Sequence, residues 1–114
     1  MDPISSALLQ KALDGLSERY NFTAQNIANA NTPNYQPVHV AFEETLRQAA
    51  ASGVDAINAT EPRVIIEPLG GDAQGVRLDL ELASASQTAM RYRALLEVLG
   101  QQMGLERAVL TGGR

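Results

Sequence analysis

The sequence predicts a mostly α chain. Long N- and C-terminal helices pair as an antiparallel coiled coil, and a small irregular insertion between them holds a short helix and one or two short strands. Three observations predict this. Aromatic residues make up only 4% of the 114 residues and Trp is absent, so the apolar 45% is carried mainly by Leu and Ala, which are strong helix formers and bury less area per residue than aromatics. Apolar residues recur at alternating spacings of three and four at both ends of the chain, the pattern of a heptad seam. The stretch between them changes character, with β-branched runs and most of the Pro-bracketed and Gly-rich segments.

The first helix is expected over about Ile4 to Ala30. Asp2-Pro3 supplies an N-cap acid followed by Pro at the first helical position, the favoured entry into a helix. Its seam reads Leu9, Leu13, Leu16, Tyr20, Thr23, Ile27 and Ala30. Gly15 lies inside that pattern at a cost of about 1 kcal/mol against Ala, so it marks either a weak point or a close backbone approach. In the middle, residues 41–52 (AFEETLRQAAAS) read as a short helix ended by Gly53. RVIIE at 63–67, between Pro62 and Pro68, reads as a short strand, VHVAF at 38–42 as a candidate second one, and LGGDAQG at 69–75 as a loop. The last helix is expected over about Leu78 to Leu110. Its seam is Leu78, Leu82, Ala85, Ala89, Tyr92, Leu96, Leu99, Met103, Glu106 and Leu110, interrupted only by Glu106 and flanked by Leu95 and Leu105. Gly100 and Gly104 are either hinges or packing sites.

Charge divides the chain the same way. Residues 1–36 carry a net charge of -1, residues 37–75 carry -4, and residues 76–114 carry +1. The predicted organisation is therefore a coiled-coil assembly domain formed jointly by 1–36 and 76–114, with 37–75 as an acidic, water-facing insertion at the tip of the hairpin. The whole chain is at -4 with no basic patch, which argues against nucleic acid as a partner. There is no Cys, so neither a disulfide framework nor thiolate chemistry is expected. MDPISSALLQKAL lacks the basic start and continuous apolar run of a cleaved signal peptide, and no apolar run approaches the ~20 residues of a membrane helix. A pair of helices with one apolar stripe each gains little beyond the entropy of ordering them. Such a pair becomes firmly stable when its outer faces meet other subunits, which points to a component of an assembly.

The most specific stretch is NIANANTPNYQ at 26–36. Asn29 or Asn31 suits a left-handed helix cap. Thr32-Pro33 forbids continuation of the helix, because the residue before Pro is pushed to extended angles. Pro33-Asn34 fits the centre of a β-turn with Asn34 at positive φ, and the turn aims Tyr35 in a fixed direction. Asn26 sits a turn earlier, where an amide has no capping role. It is either a solvated polar residue or one that binds the backbone of a neighbouring element through its side chain.

Read as Asn26, Ile27, Ala28, Asn29, Ala30, Asn31, Thr32, Pro33, Asn34 and Tyr35, this stretch resembles the N-terminal signature of the flagellar axial proteins, the rod, hook and hook-associated subunits. The departure is Asn34, where that family usually has Gly. Asn is the replacement that best preserves a positive-φ turn. Residues 76–110 resemble the C-terminal helix of a proximal-rod member, and the roughly forty-residue middle is shorter than the inserted domains of hook and distal-rod members. The resemblance implies a structural subunit of the basal-body rod that packs its terminal helices into a helical tube around the export channel, with ends that fold on assembly. It implies partners in other copies of the chain, in other rod and basal-body proteins, and in the flagellar export apparatus during secretion. It implies a periplasmic rod location reached without a cleaved signal peptide, and no cofactor. Under it, Leu9, Leu13, Leu16, Tyr20, Ile27, Leu82, Tyr92, Leu96, Leu99 and Met103 pair the helices, while Asn26, Ile27, Asn29, Asn31, Thr32, Pro33, Asn34 and Tyr35 set the junction and meet adjacent subunits.

Two other classes compete. A sibling rod subunit shares all of these features, and a generic helical-hairpin adaptor would share the hairpin while forming a closed complex rather than open, repeating contacts. An enzyme has little to stand on. His39 is alone with no metal-ligand spacing around it, Glu43 and Glu44 are adjacent and do not converge on one helix face, and LGGDAQG lacks the lysine of a phosphate loop.

Overall fold

The computed structural model describes residues 1–69 and 75–112. Four helices and two strands follow in the order α1 (Pro3–Ala28), β1 (Val38–Ala41), α2 (Glu43–Ala50), α3 (Val54–Asn58), β2 (Arg63–Ile66) and α4 (Leu78–Gly112). α1 begins where the sequence places it. The Asp2 carboxylate accepts from Ser5 N–H and Ser5 Oγ–H, both at 2.8 Å, and Pro3 opens the first turn. The helix ends two residues earlier than Ala30. In the middle, the helix expected before Gly53 is α2, and a second short helix that the sequence does not predict, α3, follows it: Gly53 at φ 105° turns the chain after α2 and starts α3, a change of direction that a residue with a side chain makes only under strain. The short α3 carries too few residues for a periodic signal. Both candidate strands exist and pair antiparallel, Val38 opposite Ile66 and Val40 opposite Val64. Most of the predicted loop at 69–75 lies outside the described residues.

α1 is the central element. It lies along α4 and also meets β1, α2 and α3. The amino group of Met1 lies 3.2 Å from Glu106 at one end and Asn26 Nδ2 lies 3.2 Å from Glu81 at the other. The same 25 positions separate Met1 from Asn26 and Glu81 from Glu106, so the two helices run in opposite directions without a slip in register. The molecule is accordingly long and flat, 64 × 27 × 14 Å.

The buried core lies on the insertion side. Ala7 and Leu16 of α1 pack with Val40, Phe42, Leu46 and Ile57, and Ile57 is fully buried. Residues 38–66 therefore fold back along α1 instead of projecting from the tip of a hairpin. The reason is local: at Gly15 the backbone of α1 comes so close to Phe42 that a Cβ would stand 2.6 Å from the ring. Gly15 is a close approach. Gly100 and Gly104 face open space.

α4 is placed less deeply. Only Glu81 and Thr88 are buried along its 35 residues, about 52 Å of helix. Tyr92, Leu95, Leu99 and Gln102 are half-buried. The face toward α1 is thus the column through Glu81, Thr88, Leu95 and Gln102 together with Ala85, Tyr92 and Leu99. The more apolar neighbouring column points outward, with Leu82 51% exposed, Leu96 44%, Met103 50% and Leu110 84%. On α1, Leu9, Leu13 and Leu16 are buried, Ile27 is half-buried and Tyr20 is exposed. Heptad spacing alone cannot choose between two adjacent columns of α4. The choice is made at its N-terminus, where Glu81 is drawn inward by hydrogen bonds.

Candidate functional site

The stretch that ends α1 folds into one polar junction, and Asn26 is its centre. Asn26 has no exposed surface, yet all four hydrogen-bonding positions of its amide are used. Nδ2 donates to Val38 C=O at 2.8 Å and to Glu81 Oε2 at 3.2 Å; Oδ1 accepts from Val38 N–H at 3.0 Å and from Tyr35 O–H at 3.0 Å. The amide thereby takes both backbone groups of Val38, as a neighbouring strand would, and closes that edge of β1. A buried amide with every donor and acceptor met contributes stability, whereas one left unmet costs about 1–3 kcal/mol per group.

Glu81 arrives from α4 and completes the junction. It is almost fully buried. Oε2 takes the Asn26 amide and Oε1 lies 2.8 Å from His39 Nε2. His39, on β1, also has Nδ1 at 3.6 Å from Glu67 Oε1, so its imidazole sits between two carboxylates, one on α4 and one beyond β2. Among the described residues no buried side-chain nitrogen or oxygen lacks a partner. Four segments are tied by this one network: α1, the turn at 33–36, β1 and α4.

The remaining residues of the stretch shape the exit from the helix. Asn29 is the C-cap at φ -103° and ψ 17°, not a left-handed one. Its Nδ2 reaches back to Gln25 C=O at 2.8 Å and its Oδ1 accepts from Thr32 Oγ1–H at 3.0 Å. The side chain thus gives a second donor to a helix carbonyl that Asn29 N–H also reaches, at 3.0 Å. Asn34 is the residue that takes positive φ, at 60°. Tyr35 is half-buried and turned inward to Asn26, while Asn31, Thr32, Pro33 and Asn34 are exposed and Ile27 is half-buried. Asn26 and Tyr35 are therefore spent within the chain. Asn26 is fully buried, whereas part of Tyr35 remains exposed.

Sequence reasoning missed Arg19 and Glu81. Arg19 Nε and Nη2 donate to Val40 C=O at 3.2 and 2.8 Å, its guanidinium forks onto Glu43 at 2.7 and 2.6 Å, and it stacks over the Phe42 ring at 4.7 Å. It seals β1 at Val40 as Asn26 does at Val38. Nothing in the heptad pattern marks either residue, because both are ordinary polar residues on long helices. A signal exists for Arg19 only in retrospect: a guanidinium is the side chain that can satisfy a carbonyl and a carboxylate at once.

The Arg19 fork holds the Glu43 carboxyl down at about 2, from an ordinary 4.5, despite the opposing effect of partial burial. The carboxylate form is thus favoured by folding. Its contribution is present above pH 4.5 and is lost as the pH falls from there toward 2. Glu43 is 53% exposed, so solvent screening limits this to at most about 1 kcal/mol. Glu43→Gln is expected to flatten the acid limb of stability between pH 4.5 and 2, read by urea unfolding across that range. An unchanged limb would show that the fork is not maintained in solution.

Among the described residues no group of His, Asp and Glu could hold a metal ion, and no described helix is long and apolar enough to cross a membrane.

The junction coincides with a family signature. Residues 8–36, which hold the whole α1 seam and the turn through Tyr35, match the family described as flagella basal body rod protein. Two relatives extend the match over the rest of the chain. A protein from Bacillus subtilis named flagellar basal body rod protein FlgB is 28% identical over 93% of this chain and 92% of its own length. One of the same name from Salmonella typhimurium is 27% identical, with 99% of both chains covered. The chain is similar to flagellar basal body rod proteins along its whole length. The signature of this rod family thus contains the buried Asn26, its Tyr35 partner and the Asn29 cap, while the partners Val38, His39 and Glu81 fall outside the 8–36 match. The relatives are named for a structural part and not for a reaction.

Proposed function

We infer that the protein is a structural subunit of the flagellar basal-body rod, acting by helix packing. The observation that carries this is the outward column of α4. Leu82, Leu96, Met103 and Leu110 fall on one heptad column of α4, beside the column that faces α1, and they are 44–84% exposed. An apolar column that long on a free chain is costly in water. It is the surface expected of a subunit that meets its neighbours along the whole helix.

In this reading, residues 1–36 and 76–114 act as the assembly domain, with α1 and α4 paired as an antiparallel coiled coil through Leu9, Leu13, Leu16, Tyr20, Ile27, Tyr92 and Leu99. Leu82, Leu96 and Met103 face the next subunit. Open contacts of this heterologous kind repeat into a helical array, here a proximal-rod tube around the export channel. Its partners are further copies and other rod and basal-body proteins. Delivery to the periplasmic rod is through the flagellar export apparatus, without a cleaved signal peptide and with no cofactor.

The test is Leu96→Asp in cells lacking the wild-type protein. Incorporation into isolated basal bodies should fall at least about tenfold, because each copy would place a charge in a dry contact. Export to the medium, measured by immunoblot, should be retained. Leu96 is nearly half exposed in the single chain, so its unfolding midpoint should move little. Normal rod incorporation of this variant would overturn the reading.

A further inference from the structure

The two edges of the β1–β2 ribbon are unlike. β1 turns the backbone groups of Val38 and the carbonyl of Val40 toward α1, and Asn26 and Arg19 bind them. In an antiparallel pair, residues opposite one another share this orientation. Val64 and Ile66, opposite Val40 and Val38, therefore turn their N–H and C=O groups to the outer edge of β2. Among the described residues nothing binds them. Val64, Ile65 and Ile66 are all exposed. A bare β-branched edge invites another strand, and Pro62 and Pro68 limit the match to the residues between them.

Beside this edge lies a cavity of about 440 Å³ lined by the buried Phe42 and Leu46 and by the exposed Val64. Its rim carries Asp14, Glu18 and Glu61 against Lys11 alone. The Lys11 ammonium is directed at Thr60 C=O, 3.1 Å away. Among the described residues, none of the three carboxylates has a cationic partner within 4 Å. The groove is thus apolar below and negative above, the complement of a long basic side chain with an aliphatic stem. Val64 belongs to both features, so a residue paired opposite it on an added strand would lie on the groove side of the sheet.

We propose that β2 is a docking edge for an extended segment of another protein, which adds as a third strand and seats one Arg or Lys in the acid-rimmed groove. This surface is separate from the apolar column of α4, and the proposal stands whether or not that column builds the rod.

Four fluorescein-labelled heptapeptides test it against the full chain: Thr-Val-Thr-Arg-Thr-Val-Thr, its counterpart with Glu for Arg, and the Arg peptide N-methylated at alternate positions in each of the two registers. Binding of the Arg peptide should weaken with added salt, and amide shifts on binding should map to residues 61–67 and to the neighbourhood of Asp14 and Glu18. The Glu peptide should bind at least about tenfold more weakly. One of the two registers of N-methylation should abolish binding by removing the edge hydrogen bonds, a control that leaves the protein unaltered. The double variant D14N/E61Q should lose most of the preference for Arg. Equal binding of the Arg and Glu peptides, indifference to N-methylation in both registers, or shifts along α4 instead would overturn the proposal. So would concentration-dependent shifts at β2 without peptide, which would make a second copy the occupant.

Discussion

Asn26→Ala is expected to destabilise the chain by about 3 kcal/mol, out of the 5–15 kcal/mol typical of a folded domain. The substitution strips partners from Val38 N–H, Val38 C=O, the Tyr35 hydroxyl and one oxygen of Glu81. Asn26 is fully buried, so water does not readily replace the lost amide. Alanine is the better helix former by several tenths of a kcal/mol, and that gain runs against the loss without approaching it. Urea unfolding gives the difference directly. Asn31→Ala is the control within the same motif: Asn31 is exposed, and its removal should change stability by less than about 0.5 kcal/mol. Tyr35→Phe should cost about 1 kcal/mol alone and markedly less in the Asn26→Ala background, since the two share one hydrogen bond. Equal effects of the Asn26 and Asn31 substitutions would show that the junction does not hold β1 to α1.

Gly15→Val is the second large effect, also of about 3 kcal/mol. Any Cβ at this position stands 2.6–2.7 Å from three ring atoms of Phe42. The ring cannot retreat easily, because it is buried in the core and lies under the Arg19 guanidinium. Overpacking of this kind costs about 1–3 kcal/mol, and Val adds bulk and a stiff χ1 to the clash. The milder Gly15→Ala sets the same clash against a helix-propensity gain of up to about 1 kcal/mol, so a net loss is expected. The decisive measurement is the cycle with Phe42→Ala. With the ring removed, Gly15→Ala should become neutral or stabilising, a change of sign that a hinge at Gly15 would not produce. If the loss persists in that background, the close approach of α1 and the 38–66 segment is not what requires glycine here.

Both predictions concern the packing of the middle segment, and that is where sequence and structure part company. The terminal helices were legible because their signals are local. Asp2-Pro3 starts α1 through bonds to residues three positions away, and a heptad column repeats whatever the helix packs against. The exit from α1 was legible for the same reason: the positive φ of Asn34 is a property of a turn, and only a few residue types tolerate it. The left-handed cap was misplaced because an Asn side chain can meet helix carbonyls itself, and sequence does not say which of the two devices is used.

The amino-acid sequence by itself determined two long amphipathic helices, two β-branched segments, a hard stop after α1 and the family signature that spans it. Only the tertiary structure decided which side of each helix is used and where the core lies. Glu81, held by Asn26 and His39, turns α4 so that its less apolar column faces α1 and the more apolar one faces out. Gly15 lets Phe42 against the backbone of α1, so the acidic middle becomes half of the core. The physical reason is common to both. Periodicity records how much apolar surface a helix has, whereas its rotation is fixed by a few buried hydrogen bonds and one close contact between residues distant in the chain.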